Sequence, residues 1–367
     1  MIETMIEKTN RLVLLTGGGT AGHVYPLFPI AEKLKEGGFI VKFVGTYAGI
    51  ERFLVENAKY DFLPISAGKL RRYFSRDNFI DIFRTLAGII QSCKIITKHK
   101  PVAIVSKGGF VSVPVCIAGW IKKIPVIIHE SDRSPGLANR IAGRFASVIY
   151  ARDENTLGQF KGKGKREIAS IPLRSQFRQP DITNGLKQTR RTTNLPILLI
   201  MGGSLGSSFI NSLVPQLFEL IRNKFHVVHI TGKDYSPTLR APNYVAIEYT
   251  DDLPDIMAVS HIIISRGGAT AIDEIITVKK PALIIPLSKL ASRGDQLENA
   301  AAFEEQNYGL VLKEEQCTAV AIANQLDLLF RKYGMFSQAL NLGQKSDPTE
   351  AIVGSIVTEV LNHEQKQ

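Results

Sequence analysis

Two stretches of this chain begin alike: RLVLLTGGGTAGH at residues 11–23 and LPILLIMGGSLGSS at residues 195–208. In each, an apolar run breaks into paired glycines and small residues, and a helical pattern follows. Glycine lets backbone N–H groups come close to a ligand, and the helix that follows turns its positive end to the same point. Using the device twice constrains the chain to two strand–loop–helix starts, each able to meet an anion. At 367 residues the chain exceeds what one core usually serves, so two domains are expected.

The apolar patterning agrees. β-Branched runs alternate with helical patterns, as in parallel sheets with crossover helices. Strands are expected at 12–16, 40–45, 103–106, 125–129 and 147–150, and again at 197–201, 226–231, 245–249, 261–265 and 282–286. Between the two sets lies PDITNGLKQTRRTTN, residues 180–194, the best linker candidate. The fold class expected is α/β, with two Rossmann-like, doubly wound domains facing a cleft. Residues 8–180 form the first, residues 195–345 the second, and residues 346–367 a helix packing back towards the first. Ligands belong outside the carboxyl ends of the strands.

Charge narrows the partners. The balance is 45 Lys+Arg against 34 Asp+Glu, a net +11, which favours anionic ligands or surfaces. Residues 69–100 are basic and interleaved with Leu70, Tyr73, Phe74, Phe79, Ile80, Phe83, Leu86, Ile89 and Ile90. Two readings stand for this stretch: an amphipathic helix packed on its own domain, or a patch that docks on an anionic membrane. Nucleic acid is not expected, because no helix-turn-helix, zinc finger or RNP-like motif accompanies the basic residues. No apolar stretch approaches the ~18 residues of a membrane span, and the first ten residues do not read as a signal peptide. Cys93, Cys116 and Cys317 lie far apart without metal-ligand spacing, so neither a disulfide framework nor a metal site is expected.

The loops define the chemistry. Gly17, Gly19 and Gly22 satisfy G-x-G-x-x-G, a weak signal for a dinucleotide. Such a site also wants an acid at the end of the second strand. Here that strand ends in Gly45-Thr46-Tyr47, and Glu51 comes later, inside an expected helix, so the dehydrogenase reading lacks its ribose anchor. His23, where the first helix begins, can bond a phosphate or take a hydroxyl proton; a helix-capping or core histidine is the plain alternative. Further anion cradles are expected at Ser106-Lys107-Gly108-Gly109-Phe110, at Met201-Gly202-Gly203-Ser204 and at Ser265-Arg266-Gly267-Gly268-Ala269-Thr270. A helix starting near Ala269 brings Glu274 about one and a half turns in, where a carboxylate can accept ribose hydroxyls; an ordinary surface acid is the alternative. His129-Glu130-Ser131-Asp132 ends a strand without a partner histidine at metal spacing. There is no D-x-D, G-x-S-x-G, P-loop or H-E-x-x-H.

Taken together, these segments resemble the MurG family of UDP-N-acetylglucosamine:lipid I N-acetylglucosaminyltransferases of peptidoglycan synthesis. GGGTAGHVYP resembles the family's GGGTGGHxxP, SKGGFVSVP its glycine loop, and HESDRSPGLANR its HEQN-x-x-x-G-x-x-N segment. MGGSLGSSFIN resembles GGSxGAxxxN, SRGGATAIDE its RxGAxTxxE, and SRGDQLENA a glutamine-rich stretch ending in NA. The six occur in the family's order along nearly the whole chain. Ala21, Ser131, Asp132, Leu205 and Asp295 depart from the commonest pattern, in the manner of a Gram-positive branch.

The resemblance implies a GT-B glycosyltransferase with no cofactor and no essential metal, held peripherally at the cytoplasmic face of the cell membrane. The first domain takes undecaprenyl-diphosphate-linked lipid I and faces the membrane; the second takes UDP-N-acetylglucosamine (UDP-GlcNAc). The residues implied for UDP-GlcNAc are Thr20, Ala21, Gly22, Arg174, Ser204, Thr250, Ala269, Thr270, Glu274, Asp295 and Gln296. Gly18, Gly19, Lys107, Gly108 and Gly109 are expected at the acceptor diphosphate. His23 is the expected base, with Asp132 and Glu130 behind it. A processive UDP-sugar:diacylglycerol glycolipid synthase and a UDP-GlcNAc 2-epimerase are the alternatives that share fold and donor.

Overall fold

The computed structural model describes residues 11–69, 77–203, 206–233, 235–288, 294–343 and 347–364. The first half forms β1 (Leu12–Gly17), β2 (Ile40–Thr46), β3 (Asp61–Ile65), β4 (Ala103–Gly108), β5 (Val126–His129), β6 (Val148–Ala151) and β7 (Lys165–Ile168). The second forms β8 (Ile197–Met201), β9 (His226–Ile230), β10 (Tyr244–Ile247), β11 (Ile262–Ser265), β12 (Ala282–Ile284) and β13 (Gly309–Val311). The sheets run β3-β2-β1-β4-β5-β6-β7 and β10-β9-β8-β11-β12-β13, and their pairings are parallel, as in Leu12 against Ile40 and Ile197 against His226. Every strand expected from the sequence is present, within a residue or two at its ends. Three that were not expected, β3, β7 and β13, are edge strands. Paired on one side only, they need no continuous apolar run: β7 is KREI, largely exposed, and β3 carries Pro64.

Helices cover the sheets. They are α1 (Leu27–Glu36), α2 (Ile50–Asn57), α3 (Asp77–His99), α4 (Ser112–Ile121), α5 (Leu137–Ala142), α6 (Glu154–Gly158) and α7 (Ile182–Gln188) in chain order. There follow α8 (Ser208–Ile221), α9 (Leu253–Val259), α10 (Ala269–Val278), α11 (Asp295–Glu305), α12 (Ala319–Arg331), α13 (Tyr333–Leu342) and α14 (Pro348–Glu364). The chain divides into two compact units, residues 1–174 with 347–367, and residues 175–346. The stretch at 180–194 is therefore no linker. It holds α7, capped by Asp181, whose side chain accepts from the Asn184 N–H at 3.0 Å. That helix packs on α9, with Asp255 accepting from the Asp181 N–H at 2.9 Å and the Asn184 amide at 2.7 Å. The chain passes between units near Arg174, ahead of the polar stretch.

In the first unit, α14 is part of the core. Ile352, Val353, Ile356 and Val360 are buried with Leu27, Ile30 and Val148. Tyr150 on β6 hydrogen-bonds Ser355 and donates to the Ala351 carbonyl at 3.3 Å. In each sheet the strand order reverses direction at one place, between β1 and β4 and between β8 and β11. Crossovers leave these points on opposite faces, so the loops beyond the strand ends diverge and leave space for a ligand. The glycine loops lie there.

Candidate active site

In the first unit three loops gather beyond β1, β4 and β5. The Gly18 N–H donates to the Gly108 carbonyl at 3.3 Å. Gly109, at φ +82°, lies so close that any side chain there would strike the Gly18 carbonyl, so only glycine serves. Behind Gly18 stands Glu51, 2% exposed at the start of α2. Its Oε2 accepts the Gly19 N–H at 3.2 Å, and its Oε1 accepts the Thr46 N–H at 3.0 Å and the Thr46 hydroxyl. Thr20 is exposed and leads into a single 3-10 turn, Ala21–His23, which ends with His23 half-buried. Next to it, the Arg174 guanidinium lies over the Tyr25 ring, 5.9 Å from its centroid.

The loop after β5 is organised by Glu130. Its Oε1 accepts the N–H groups of Ser131 and Asp132 at 2.7 and 2.9 Å; its Oε2 accepts those of Gly136 and the Asn139 amide at 3.2 and 2.9 Å. Burial, then the charge of Asp132, raises its pKa, while the Asn139 bond pulls the other way. A carboxylate with both oxygens committed to four donors scaffolds its loop, so the expectation that Glu130 supports a base as a proton acceptor is corrected here. His129 is buried and donates Nε2–H to the Ser170 carbonyl at 2.8 Å. Burial, with the positive charges of Lys107 and Arg152, holds its pKa well below the ordinary value, and it is neutral. Asp132, half-buried, follows directly.

Four of the groups expected at the acceptor diphosphate are turned inwards. The Gly18 and Gly19 N–H groups are spent on Gly108 and Glu51. Lys107 is 1% exposed, and its ammonium bonds the Ser131 hydroxyl. The Gly108 N–H likewise donates to the Ser106 hydroxyl at 3.2 Å. Lys107 thus strengthens its loop from within, and the hydrogen bonds of all four groups run to the protein itself.

In the second unit the loop after β8 ends at Ser207, which caps α8 by accepting the Ile210 N–H at 3.3 Å. Ser204 lies outside the described residues. Arg266 holds the Ser207 hydroxyl from Nε at 3.2 Å and Nη2 at 2.7 Å, donates Nη1–H to the Ile285 carbonyl at 3.1 Å, and pairs with Glu314 at 2.8 Å. Glu314 in turn accepts the Ser288 N–H at 3.1 Å. One buried guanidinium thus fastens the loops after β8, β11 and β12. α10 begins at Ala269, as expected, with Thr270 in its first turn and Glu274 half-buried in the second. Its first N–H groups have no partner within the helix and aim at the loop cluster. Thr250 accepts the Asp252 N–H at 3.0 Å and sets the start of α9. Gln296 accepts the Leu287 N–H at 3.0 Å through Oε1. Asp295 opens α11, half-buried.

Reading the sequence weighed Glu51 only as a ribose anchor and gave no individual role to Asn139, Arg266 or Ser207. The motif strings contain the last three, but nothing along the chain says that Arg266 reaches back to Ser207.

Comparison with known proteins matches residues 13–151 to the glycosyltransferase family 28 N-terminal domain and residues 197–346 to the glycosyltransferase family 28 C-terminal domain. A Clostridium botulinum protein named UDP-N-acetylglucosamine--N-acetylmuramyl-(pentapeptide) pyrophosphoryl-undecaprenol N-acetylglucosamine transferase is 43% identical over 88% of this chain and 92% of its own. A Clostridium kluyveri protein of the same name is 41% identical over 94% of this chain and 98% of its own. Among solved structures, Acinetobacter baumannii MurG superposes with a TM-score of 0.73 at 21% identity, covering 95% of this chain and 99% of that one. The spinosyn forosaminyltransferase SpnP gives a TM-score of 0.68 at 15% identity, over 98% and 99%. These two likenesses concern the fold alone.

Proposed function

The chain belongs to glycosyltransferase family 28, and from that premise we propose that it moves GlcNAc from UDP-GlcNAc to the C4 hydroxyl of the muramoyl sugar in undecaprenyl-diphosphate-linked lipid I, giving lipid II. The observation that carries this reading is the reach of the likeness: it runs through both units. A chain sharing only a donor-binding unit would leave the acceptor open, and with it the glycolipid synthase and epimerase alternatives.

Inversion at the anomeric carbon needs one displacement. The acceptor hydroxyl bonds to C1 of GlcNAc, the C1–O bond to the diphosphate breaks, and UDP leaves with the electron pair. The hydroxyl proton needs an acceptor, and the diphosphate needs positive potential. His23 is the proposed acceptor, with Asp132 behind it. The N-terminal N–H groups of α10 at Ala269 and Thr270 are proposed for the diphosphate, and Glu274 for the ribose hydroxyls. Thr250 is placed by the same reading beside uracil, and Asp295 and Gln296 at the sugar. Thr20, Ala21 and Gly22, in the first unit, are proposed as further contacts of UDP-GlcNAc. Arg174 stands beside the His23 turn through Tyr25, where it adds positive potential.

Docking on the anionic cytoplasmic membrane surface is part of the proposal. α3 is amphipathic the wrong way round for a helix that only packs. Its inner face carries Asp81, Gly88, Ser92 and Ile96, while Phe83 is 70% exposed and Ile82, Leu86 and Ile90 also face out. Trp120 and Ile121, at the end of α4, are exposed beside them, and Lys94, Lys98 and Lys122 rim the groove between the two helices. Such a surface suits an acyl boundary under anionic headgroups. Residues 70–76 of the basic stretch lie outside the described residues. Among the described residues no helix is long and apolar enough to cross a membrane.

The test is UDP release with and without a soluble lipid I analogue, with UDP-glucose as competing donor. Release that requires the analogue and ignores UDP-glucose is expected; release without acceptor, or preference for UDP-glucose with diacylglycerol, overturns the reading. In the same assay His23→Ala should lower kcat by about 10²-fold or more, the usual scale of a lost proton acceptor; near-normal kcat would remove His23 from that role.

A further inference from the structure

The two glycine loops open alike in sequence but are anchored by opposite charges. At the second loop the guanidinium of Arg266 is ion-paired with Glu314 and bonded to Ser207. Behind Gly17–Gly19 lies the carboxylate of Glu51. This carboxylate is built in. A Cβ added at Gly18 would lie 2.6 Å from its Cδ, one at Gly45 2.7 Å from its Cγ, and one at Gly49 would run into Oε1. Three glycines, one beyond β1, one near the end of β2 and one just past it, thus make room for one side chain from α2. Its three hydrogen bonds tie the end of β2, through Thr46, to the tip of the first loop, through Gly19.

An anion cradle needs N–H groups that point outwards and no negative charge close behind them. The first loop fails on both counts at Gly18 and Gly19. We infer that Glu51 is a positioning residue: it holds the first glycine loop as a site for the uncharged, hydroxyl-bearing part of the acceptor and turns the diphosphate away from it. Two similar loops in one chain are thereby sorted, the phosphate-seeking one in the second unit and the sugar-seeking one in the first. The inference rests on the reading of the acceptor as a diphosphate-linked sugar.

Glu51→Gln tests it, because the amide keeps the shape but removes the charge and one of the two acceptor atoms. With the lipid I analogue, kcat/KM for the acceptor should fall about tenfold, the scale of one lost hydrogen bond to a charged group, while KM for UDP-GlcNAc stays within twofold. Inorganic pyrophosphate should compete only with UDP-GlcNAc in the unaltered enzyme and also with the acceptor in Glu51→Gln. Unchanged acceptor kinetics together with an unchanged inhibition pattern overturn the inference. Should Glu51→Gln not fold, Thr46→Val removes one donor and leaves the carboxylate in place. A fall of about threefold in acceptor kcat/KM at constant donor KM then supports the inference, and no change overturns it. Failure of the acceptor reading would look different: the unaltered enzyme itself would release no UDP in response to the analogue.

Discussion

His229, at the inner end of β9, is fully buried with both ring nitrogens engaged. Asn211 donates its amide to the Thr231 carbonyl at 2.9 Å, so its Oδ1 faces His229 Nε2, also at 2.9 Å, and that nitrogen carries the proton. Nδ1 then accepts from the Tyr244 hydroxyl at 2.9 Å. Burial lowers the His229 pKa to about 4. An unfolded chain takes this proton near pH 6.5, whereas the folded ring refuses it until about 4. The contribution is therefore complete above 6.5 and lost progressively down to 4, by about 3 kcal/mol. Urea unfolding at pH 7 and at pH 4.5 should show that loss for the parent chain and a flatter response for His229→Gln, which starts lower at pH 7. Parallel pH dependences would sink the assignment. Residues of this kind mark the limit of what sequence exposes. His23 and Asp132 were singled out because they sit in suggestive strings just beyond strand ends, and both stand half-buried there. Glu130 and Lys107 belong to equally suggestive strings, yet their side chains point inwards, and direction is not written along a chain. Glu51 was discounted because it came too late for a ribose; its function as an anchor depends on glycines 33 and 6 positions away being absent of side chains.

At the scale of elements, interior strands were legible because they must be apolar on both faces, whereas β3, β7 and β13 escaped because an edge strand is half free of that demand. α7 was hidden for a related reason: its polar surface reads as a linker until Asp255 on α9 is seen to hold its cap and first turn, through Asp181 and Asn184. α14 gives an element-scale prediction. Ile356 is 0% exposed and lies in the core that α14 shares with α1. Placing a carboxylate there in Ile356→Asp should cost more than about 4 kcal/mol, the range of an unpaired buried charge. The first unit should then melt earlier in calorimetry, while the second, whose core of Leu198, Leu217, Ile264 and Leu326 does not include α14, keeps its own transition. An unaltered melting profile would show that α14 is dispensable.

For the molecule as a whole, the proposed membrane docking draws on two features together, the net charge of +11 and the outward apolar face of α3. Binding to vesicles rich in anionic phospholipid should be strong at 0.1 M salt and much weaker at 1 M, as the Debye length shrinks from about 10 Å to about 3 Å. Phe83→Glu should weaken sedimentation with those vesicles by about tenfold without changing UDP release from a soluble acceptor, since it removes an apolar anchor and adds a repelled charge. Equal sedimentation of both forms would confine α3 to internal packing. The chain's path through its two units has a consequence of another kind. The first unit is begun by residues 11–174 but closed by α14, and the whole second unit is threaded between them. On a ribosome, the second unit can fold while the first still lacks a wall of its core. The half of the molecule synthesised first is thus the half completed last, and until α14 emerges its exposed Leu27, Ile30 and Val148 are what a chaperone would meet.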